Sequence, residues 1–293
     1  MKDCISAVII TFNEERNVWR AIESVMEVAD EIIVLDSFST DRTEQICAQY
    51  GVKFVQKEWQ GYACSKNYAN NLATYNWILS LDADEELDME MITDILRYKQ
   101  EGFHGVYVLN RLTNYCGTWI RHSSWYPDKK VRIFDKSIAQ WKGAFVHEEL
   151  VFSETVIETL IKGHLNHYSY HSQTEHRSRA DKYSVLTAQK MNLMGEKANL
   201  LKPFYSSVFR FFSMYFIRAG FLDRSAGFQI ALISARSNLL KYKTLRKLNK
   251  KMVESSPKRI VISRTDSIGD VILTLPLAGI LKKKYPNSKI IFL

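Results

Sequence analysis

Four short apolar runs alternate with helix-like segments over the first 85 residues, and this alternation constrains the fold more than any other feature. The runs are residues 5–10, 31–35, 52–55 and 77–81, and they are rich in Ile, Val and Leu. Runs of this length and composition are typical of buried strands. Strand–helix–strand repetition with short joints indicates a parallel sheet that is covered on both faces. The chain is therefore predicted to be α/β, with a mostly parallel central sheet.

Capping signals predict where the first helices begin. Asn13 is expected to cap a helix that continues to about Val28. Asp41, with Glu44 three residues later, resembles a capping box that opens a second helix. A third helix is expected over residues 65–74, directly before the fourth strand.

Asp36, Asp82 and Asp84 all follow predicted strands, and ligands of such sheets lie beyond the carboxyl ends of the strands. Two carboxylates at positions i and i+2, with only Ala83 between them, can hold a hard cation together with a sugar nucleotide. The alternative is a solvated acidic turn, because further acidic residues follow up to Asp88. The residues alone leave both interpretations open.

The formal net charge of +8 is distributed unevenly along the chain. Residues 1–176 contain 17 basic and 26 acidic residues, whereas residues 177–251 contain 16 basic and 3 acidic residues. An acidic first part disfavours binding to a phosphate backbone and is compatible with a divalent cation. We expect three regions: a catalytic domain over 1–176, a basic helical extension over 177–254, and a further segment over 258–293.

The basic extension combines cations with aromatic residues. Seven aromatic residues lie between Phe204 and Phe216, and residues 236–251 carry seven basic residues and no acid. Amphipathic helices of this composition suit the surface of an anionic membrane. Core packing of the aromatic face and an ordinary solvated face of lysines remain as alternatives. No uncharged run approaches the roughly 20 residues of a spanning helix, and no nucleic-acid motif accompanies the cations, so nucleic acid is not expected as a partner.

Several motifs, taken in order, resemble those of the family 2 glycosyltransferases. They are residues 11–15 (TFNEE), 36–43 (DSFSTDRT) and 82–84 (DAD). Phe38 stands where the second motif usually has glycine. Residues 141–149, 167–170 and 219–223 further resemble the lipopolysaccharide core-biosynthesis branch, so that the resemblance covers about residues 3–250. It implies a GT-A-type nucleotide-sugar-binding fold, followed by amphipathic basic helices.

The resemblance also implies roles for individual residues of the nucleotide-sugar site. Thr11, Glu15 and Asp36 match positions that hold the base and the ribose. Lys66 matches a basic position near the uracil, and Asp82 matches the member of the DxD pair that binds the ribose.

A divalent cation, Mg²⁺ or Mn²⁺, is implied by the same resemblance. Asp84 matches the metal ligand, and His167 matches a position that supplies a further metal or diphosphate contact. The alternative for the histidines between His164 and His176 is a structural or surface role, because no cysteine lies nearby to complete a zinc site. We favour function for His167 only.

Inverting sugar transfer needs a carboxylate that takes the proton from the acceptor hydroxyl. Glu148 matches the position where relatives carry this base, and His147 is expected to orient the base or to contact the acceptor. Glu149 is the competing carboxylate, since neighbouring residues of a strand face opposite ways and only one can point into the site.

The last segment resembles a different family. Residues 259–276 and 289–293 resemble the first βαβ unit of the family 9 heptosyltransferases, in which the residue matched by Asp270 is proposed to act near the acceptor. One βαβ unit cannot bury both faces of its sheet, so no second activity is expected. The segment is expected to be either a fragment of a fusion or a tail docked on the first domain.

Together these observations predict a metal-dependent, inverting glycosyltransferase that moves a hexose from UDP-hexose or a similar donor. The expected acceptor is the lipopolysaccharide core or a related lipid-linked saccharide. The four cysteines form no CxxC pair, which indicates reduced thiols and a cytosolic location, at the inner face of a bacterial inner membrane. Two alternatives stay open: a polyprenyl-phosphate acceptor, and a catalytically silent membrane or nucleic-acid adaptor on the same fold.

Overall fold

The computed structural model describes residues 3–143, 148–254, 259–262, 279, 281–282 and 288–292. The chain divides into two compact units. The first unit comprises Met1–His176 with Phe212–Ala231, and the second comprises Arg177–Phe211 with Leu232–Leu293.

The first unit alternates strands and helices up to residue 101 and then consists mainly of strands. The helices are α1 (Val18–Val25), α2 (Thr43–Gln49), α3 (Tyr62–Leu72) and α4 (Met89–Glu101). The strands are β1 (Ile5–Thr11), β2 (Glu31–Asp36), β3 (Lys53–Gln56), β4 (Trp77–Asp82), β5 (Glu85–Leu87), β6 (Val106–Tyr115), β7 (Thr118–Ile120), β8 (Asp128–Asp135), β9 (Ala139–Lys142), β10 (Glu149–Phe152), β11 (Glu158–Leu160) and β12 (Leu165–Tyr170).

Ten of the described strands form one mixed sheet. Its main order is β3-β2-β1-β4-β8-β6-β12-β5, and β7 and β11 pair with β6. The first four strands are parallel, as the sequence predicts, and β8 pairs antiparallel with β4. Thr11 pairs with Asp36, and Ile10 pairs with Asp82. The ends of β1, β2 and β4 therefore lie side by side at one edge of the sheet.

Apolar side chains cover both faces of this sheet. Ala7 and Ile9 of β1 pack in the core beneath α1 and α4, whereas Val8 packs in a second core that contains Ala63 and Ala69 of α3. Successive residues of a strand point to opposite faces, so a run that is apolar at every position is buried on both. The predicted α/β class is confirmed.

Two predicted helix starts are wrong. The first helix begins at Val18 rather than after Asn13, because Asn13 adopts a positive φ of 55° and its Oδ1 accepts a hydrogen bond from the Thr40 backbone N–H at 2.8 Å. Helix α2 begins at Thr43 without a capping box, and Asp41 accepts instead from the Thr43 and Glu15 backbone N–H groups. Asn13 and Asp41 thus bind the loop after β1 to the loop after β2.

The second unit is mainly helical. Helices α5 (Gln173–Leu193), α6 (Lys202–Phe212) and α7 (Arg224–Glu254) contribute to it, and a π-helical turn (Ser213–Ile217) and a 3₁₀ turn (Gly220–Asp223) connect α6 to α7. None of the helices, within the part of the chain that the structure describes, has the length and apolar character needed to cross a membrane.

The last segment contributes two short strands. Strands β13 (Arg259–Ile262) and β14 (Lys289–Phe292) pair in parallel. Asp270 and most of residues 258–293 lie outside the described residues, so the resemblance of this segment to family 9 stays a prediction.

Helix α6 presents apolar side chains to the outside. Phe204, Tyr205, Val208 and Phe209, which we call the α6 stripe, are 53–70% exposed. They recur at spacings of one, three and four residues and therefore share one helix face. The alternative that these aromatic residues form a core is wrong for the α6 stripe.

Candidate active site

The Asp82–Ala83–Asp84 turn lies where β4 ends, and backbone hydrogen bonds fix it on two sides. The Ala83 N–H donates to the Ile10 carbonyl at 3.2 Å, and the Asp84 carbonyl accepts from the Tyr168 N–H at 2.9 Å. The turn is thus held between β1 and β12, and these backbone bonds fix the positions from which the Asp82 and Asp84 side chains extend.

Asp82 lies between two cations. Its Oδ1 is 3.3 Å from Lys66 Nζ, and its Oδ2 accepts a hydrogen bond from Arg132 Nη2 at 2.9 Å. Burial favours the neutral carboxyl, but the charges of Lys66 and Arg132 more than offset this and hold the pKa of Asp82 well below its usual range. Asp82 is therefore an anion at neutral pH, and Oδ1 receives no hydrogen bond from the described residues.

Lys66 brings Glu148 to the same place. The Lys66 side chain is only 3% exposed, and its ammonium lies 3.2 Å from Glu148 Oε1 and 4.6 Å from the centroid of the Trp141 ring. Glu148 precedes β10, while Glu149 is its first residue, pairs with Lys142 and is exposed. Of the two carboxylates, Glu148 is the one that contacts Lys66 and so joins the group of side chains around Asp82 and Asp84, which we call the DxD cluster. His147 lies outside the described residues.

Asp84 and His167 also meet. His167 Nε2 is 3.2 Å from Asp84 Oδ2, and the other ring nitrogen lies 3.3 Å from the Thr113 hydroxyl. Burial raises the pKa of Asp84, but the interaction with His167 outweighs it and lowers the pKa below its usual range.

A carboxylate beside an imidazole whose second nitrogen has a polar partner is a suitable donor set for a divalent metal. No group of three possible ligands occurs among the described residues. Mg²⁺ commonly takes one or two protein ligands and completes its shell with phosphate oxygens and water. Asp84 and His167 fit a cation that is shared with a diphosphate.

The sequence interpretation missed a buried charge network beneath the turn. Arg132 Nη2 donates to Glu85 Oε2 at 2.6 Å as well as to Asp82, and Arg111 bridges Glu85 and Asp128 at 3.2 and 2.6 Å. Burial would lower the pKa of Arg132, but Glu85 and Asp82 raise it above its usual range. The available signal was a single arginine among the apolar residues of positions 131–134 (VRIF) in β8.

The other predicted nucleotide-site residues lie at the neighbouring strand ends. Thr11 is buried, and its hydroxyl makes no hydrogen bond to the described residues. Asp36 is fully buried and accepts from the Ser39 N–H at 2.8 Å. Glu15 accepts from Arg42 Nε at 3.2 Å. None of these three side chains contacts Asp82 or Asp84 in the described structure, although Thr11 and Asp36 share their sheet edge.

Phe38, which replaces the family's usual glycine, has a φ of 61°. This left-handed conformation suits glycine and costs other residues about 1–2 kcal/mol. The turn after β2 therefore keeps the shape that glycine normally permits, with the Phe38 side chain half exposed.

Comparison with known proteins identifies relatives along most of the chain. The family model described as glycosyl transferase family 2 matches residues 6–161. An uncharacterized glycosyltransferase of Rickettsia bellii is 33% identical over 257 residues, which cover 84% of this chain and 87% of the relative. The lipopolysaccharide core biosynthesis glycosyltransferase LpsC of Rhizobium meliloti is 27% identical over 252 residues, covering 79% and 90%.

Among solved structures, S. aureus TarS 1–349 in complex with UDP aligns with a TM-score of 0.40 and 14% identity over 85% of this chain and 91% of that chain. The GT-A-like α/β sheet, with the DxD turn at the end of β4, agrees with the family match. The chain belongs to glycosyltransferase family 2 and is a glycosyltransferase.

Proposed function

We propose that this glycosyltransferase moves a hexose, with inversion, from a nucleotide sugar of the UDP-hexose type to a hydroxyl of a lipid-linked saccharide. One observation carries the proposal: Asp82, Asp84, Lys66, Glu148 and His167 meet at the end of β4 although they are distant in sequence. This cluster supplies an anion, a cation, a base and a pair of metal ligands at one place.

Donor binding uses the edge formed by β1, β2 and β4. Asp82 remains ionised and can accept hydrogen bonds from ribose hydroxyls. The Thr11 hydroxyl, which has no hydrogen-bond partner among the described residues, and the side chain of Glu15 belong to the motif that the family resemblance assigns to the base and ribose. Asp36 acts through the loop after β2, because its carboxylate is occupied by Ser39.

Asp84 and His167 would hold Mg²⁺ or Mn²⁺. When bound, the cation would neutralise charge that develops on the departing nucleoside diphosphate. The Thr113 hydroxyl fixes the His167 ring so that Nε2 faces Asp84.

Glu148 is the proposed base. Its carboxylate takes the proton from the acceptor hydroxyl as the hydroxyl oxygen bonds to the anomeric carbon and the bond from that carbon to the diphosphate breaks. Attack opposite the leaving group inverts the anomeric centre. The Lys66 ammonium, 3.2 Å away, keeps the carboxylate directed to the DxD cluster. His147 is proposed to orient this base or to contact the acceptor.

The α6 stripe supports a lipid-linked acceptor and peripheral binding to an anionic membrane. A row of exposed aromatic residues on a helix that also carries Lys202 and Arg210 combines apolar burial with attraction to anionic lipid. The name of LpsC, a relative, points to lipopolysaccharide core as the acceptor class. We place the enzyme at the cytoplasmic face of a bacterial inner membrane. Residues 258–293 are proposed to begin a family 9-like domain without an activity of their own.

A screen of nucleotide sugars tests the proposal. The purified protein is incubated with UDP-glucose, UDP-galactose, UDP-N-acetylglucosamine or GDP-mannose, with Mg²⁺, Mn²⁺ or EDTA, and release of the nucleotide is measured. Acceptor arms contain truncated lipopolysaccharide or polyprenyl phosphate. Turnover with a UDP-sugar and lipopolysaccharide that EDTA abolishes supports the proposal. Transfer only to polyprenyl phosphate contradicts the acceptor, and no turnover with any donor contradicts the proposed function.

A further inference from the structure

An open cavity of 220 Å³ in the second unit is lined by residues of α5, α6 and α7. Its wall includes Ser184 of α5, Arg210 of α6, and Ser237, Asn238 and Lys241 of α7. The hydroxyls of Ser184 and Ser237 bond to each other and to the Ala180 carbonyl. These bonds hold α5 against α7, so the wall of the cavity is organised.

Positive charge accumulates at this cavity without a matching carboxylate. Among the described residues, neither Arg210 nor Lys241 forms an ion pair with an acid. The second unit contains two acids up to residue 250: Asp181 is paired with Arg236 at 2.8 Å, and Glu196 is exposed. The Lys241 ammonium lies 4.5 Å from the centroid of the Tyr242 ring.

The environment of Lys241 indicates uncompensated charge. Burial, followed by the positive charges of Arg210 and Lys202, lowers the pKa of Lys241 below its usual range, and Glu196 opposes this only in part. Lys241 is half-buried and Arg210 is exposed. Positive charges near a half-buried ammonium destabilise its charged form unless an anion joins them. An anion in the cavity would lower the repulsion between the two cations and would be bound by both.

We propose that this cavity is a binding site for a phosphate group, held by the guanidinium of Arg210 and the ammonium of Lys241. The planar fork of arginine can bind two phosphate oxygens at once, and lysine adds a movable point charge. A lipid phosphate and a free phosphate share this chemistry. The site lies wholly within the second unit, so it does not depend on the transferase proposal.

Calorimetric titration of the full chain tests the site with two probes, inorganic phosphate and a short-chain soluble phosphatidic acid. The test variant is Arg210→Gln/Lys241→Gln. The matched control is Lys243→Gln/Lys247→Gln, which removes the same charge from exposed positions of α7 outside this cavity. Charge-assisted hydrogen bonds are among the stronger ones, so we expect the test variant to bind at least about tenfold more weakly, and the control to bind like the unmodified protein.

The two probes distinguish the source of the phosphate. Binding of both probes shows that the phosphate group is sufficient, and binding of phosphatidic acid alone assigns the site to lipid; both support the proposal if only the test variant loses affinity. Equal affinity of test and control variants, or no binding of either probe to the unmodified protein, overturns it. Arg210→Lys, which keeps the charge but loses the planar fork, is expected to lose less affinity than Arg210→Gln.

Folding and the donor site are measured on the same preparations. Removing both repelling cations is expected to leave the unfolding temperature unchanged or higher, and a variant with an unchanged unfolding temperature shows that its loss of binding does not come from unfolding. UDP binding reports the candidate active site separately. In the unmodified protein, UDP binding without phosphate binding overturns the cavity site alone, whereas phosphate binding without UDP binding counts against the proposed active site alone.

Discussion

Substitution of Arg132 by methionine would break the charge network beneath the candidate active site. The Arg132 side chain is 4% exposed and donates to both Glu85 and Asp82. In the variant, Glu85 keeps a hydrogen bond from the Asp82 backbone N–H at 3.1 Å and one from Arg111 at 3.2 Å, but it loses its closest partner. A fully buried carboxylate is then left with incomplete charge compensation.

The size of the expected loss in unfolding free energy follows from the burial of Glu85 and Arg132. Removing one partner of a buried ion pair costs about 3–5 kcal/mol, and the remaining Arg111 contact places Arg132→Met near the lower end, at about 3 kcal/mol. Arg111→Met is the matched control: Asp128, the closer partner of Arg111, is 29% exposed and keeps Lys130 at 3.0 Å. For this control we expect a loss of about 1 kcal/mol.

Urea unfolding followed by tryptophan fluorescence measures both losses. All six tryptophans lie between Trp19 and Trp141, so their fluorescence reports on the first unit. A loss of 3 kcal/mol lowers the unfolding temperature by roughly 6–12 °C for a unit of this size. A double-mutant cycle with Glu85→Gln should give a coupling of at least about 1 kcal/mol. If Arg132→Met loses no more stability than Arg111→Met, the buried contacts of Arg132 with Glu85 and Asp82 do not stabilise the candidate active site.

Three further predictions concern the pH dependence of folding, the catalytic base and the membrane surface. Burial lowers the pKa of His176 to about 4. Between pH 6.5 and 4 the unfolded chain therefore binds a proton at this histidine that the folded chain does not bind. Acidification from pH 7 to 4.5 should lower the unfolding free energy of the unmodified protein by about 2 kcal/mol more than that of His176→Phe. A variant with the same pH dependence in urea unfolding would contradict this. Glu148→Gln should reduce kcat by about 10²- to 10⁴-fold with donor binding unchanged, whereas Glu149→Gln should stay active; equal kcat values for the two variants would remove Glu148 from the role of base. Phe209→Ser should weaken sedimentation with phosphatidylglycerol vesicles about tenfold, since burial of a large apolar side chain contributes about 1.5–3 kcal/mol. Ile157, an exposed apolar residue of the first unit, is the control, and Ile157→Ser should have no effect. Equal vesicle binding of the two variants would argue against the α6 stripe.

Local patterns in the sequence predict the strand ends well. The runs that end at Thr11, Asp36 and Asp82 are strands because β-branched apolar residues fill them, and parallel pairing then aligns their carboxyl ends. Helix starts are less predictable, because Asn13 and Asp41 can bond either to a helix terminus or to another loop. The structure shows that Asn13 bonds to the loop after β2, whereas Asp41 bonds both to Thr43 at the start of α2 and to the loop after β1.

Contacts between distant residues could not be predicted from the residues alone. Lys66 and Glu148 are 82 positions apart, and Arg132 and Glu85 are 47 apart. The position of Glu148 came from the family resemblance, whereas nothing in the sequence indicated its contact with Lys66. The α6 stripe shows a different limit: the same apolar periodicity occurs in core helices and in exposed ones, and only the exposure of Val208 and its neighbours distinguishes them.

Binding of UDP with and without a divalent cation tests the central claim most directly. Calorimetric titration compares the unmodified protein with Asp84→Asn and with Glu86→Gln, a control carboxylate two residues away that accepts a hydrogen bond from Tyr168. We expect UDP binding that depends on Mg²⁺ or Mn²⁺ in the unmodified protein and in Glu86→Gln, and binding that is weakened and no longer metal-dependent in Asp84→Asn. Unchanged, metal-dependent UDP binding and activity in Asp84→Asn would contradict the account.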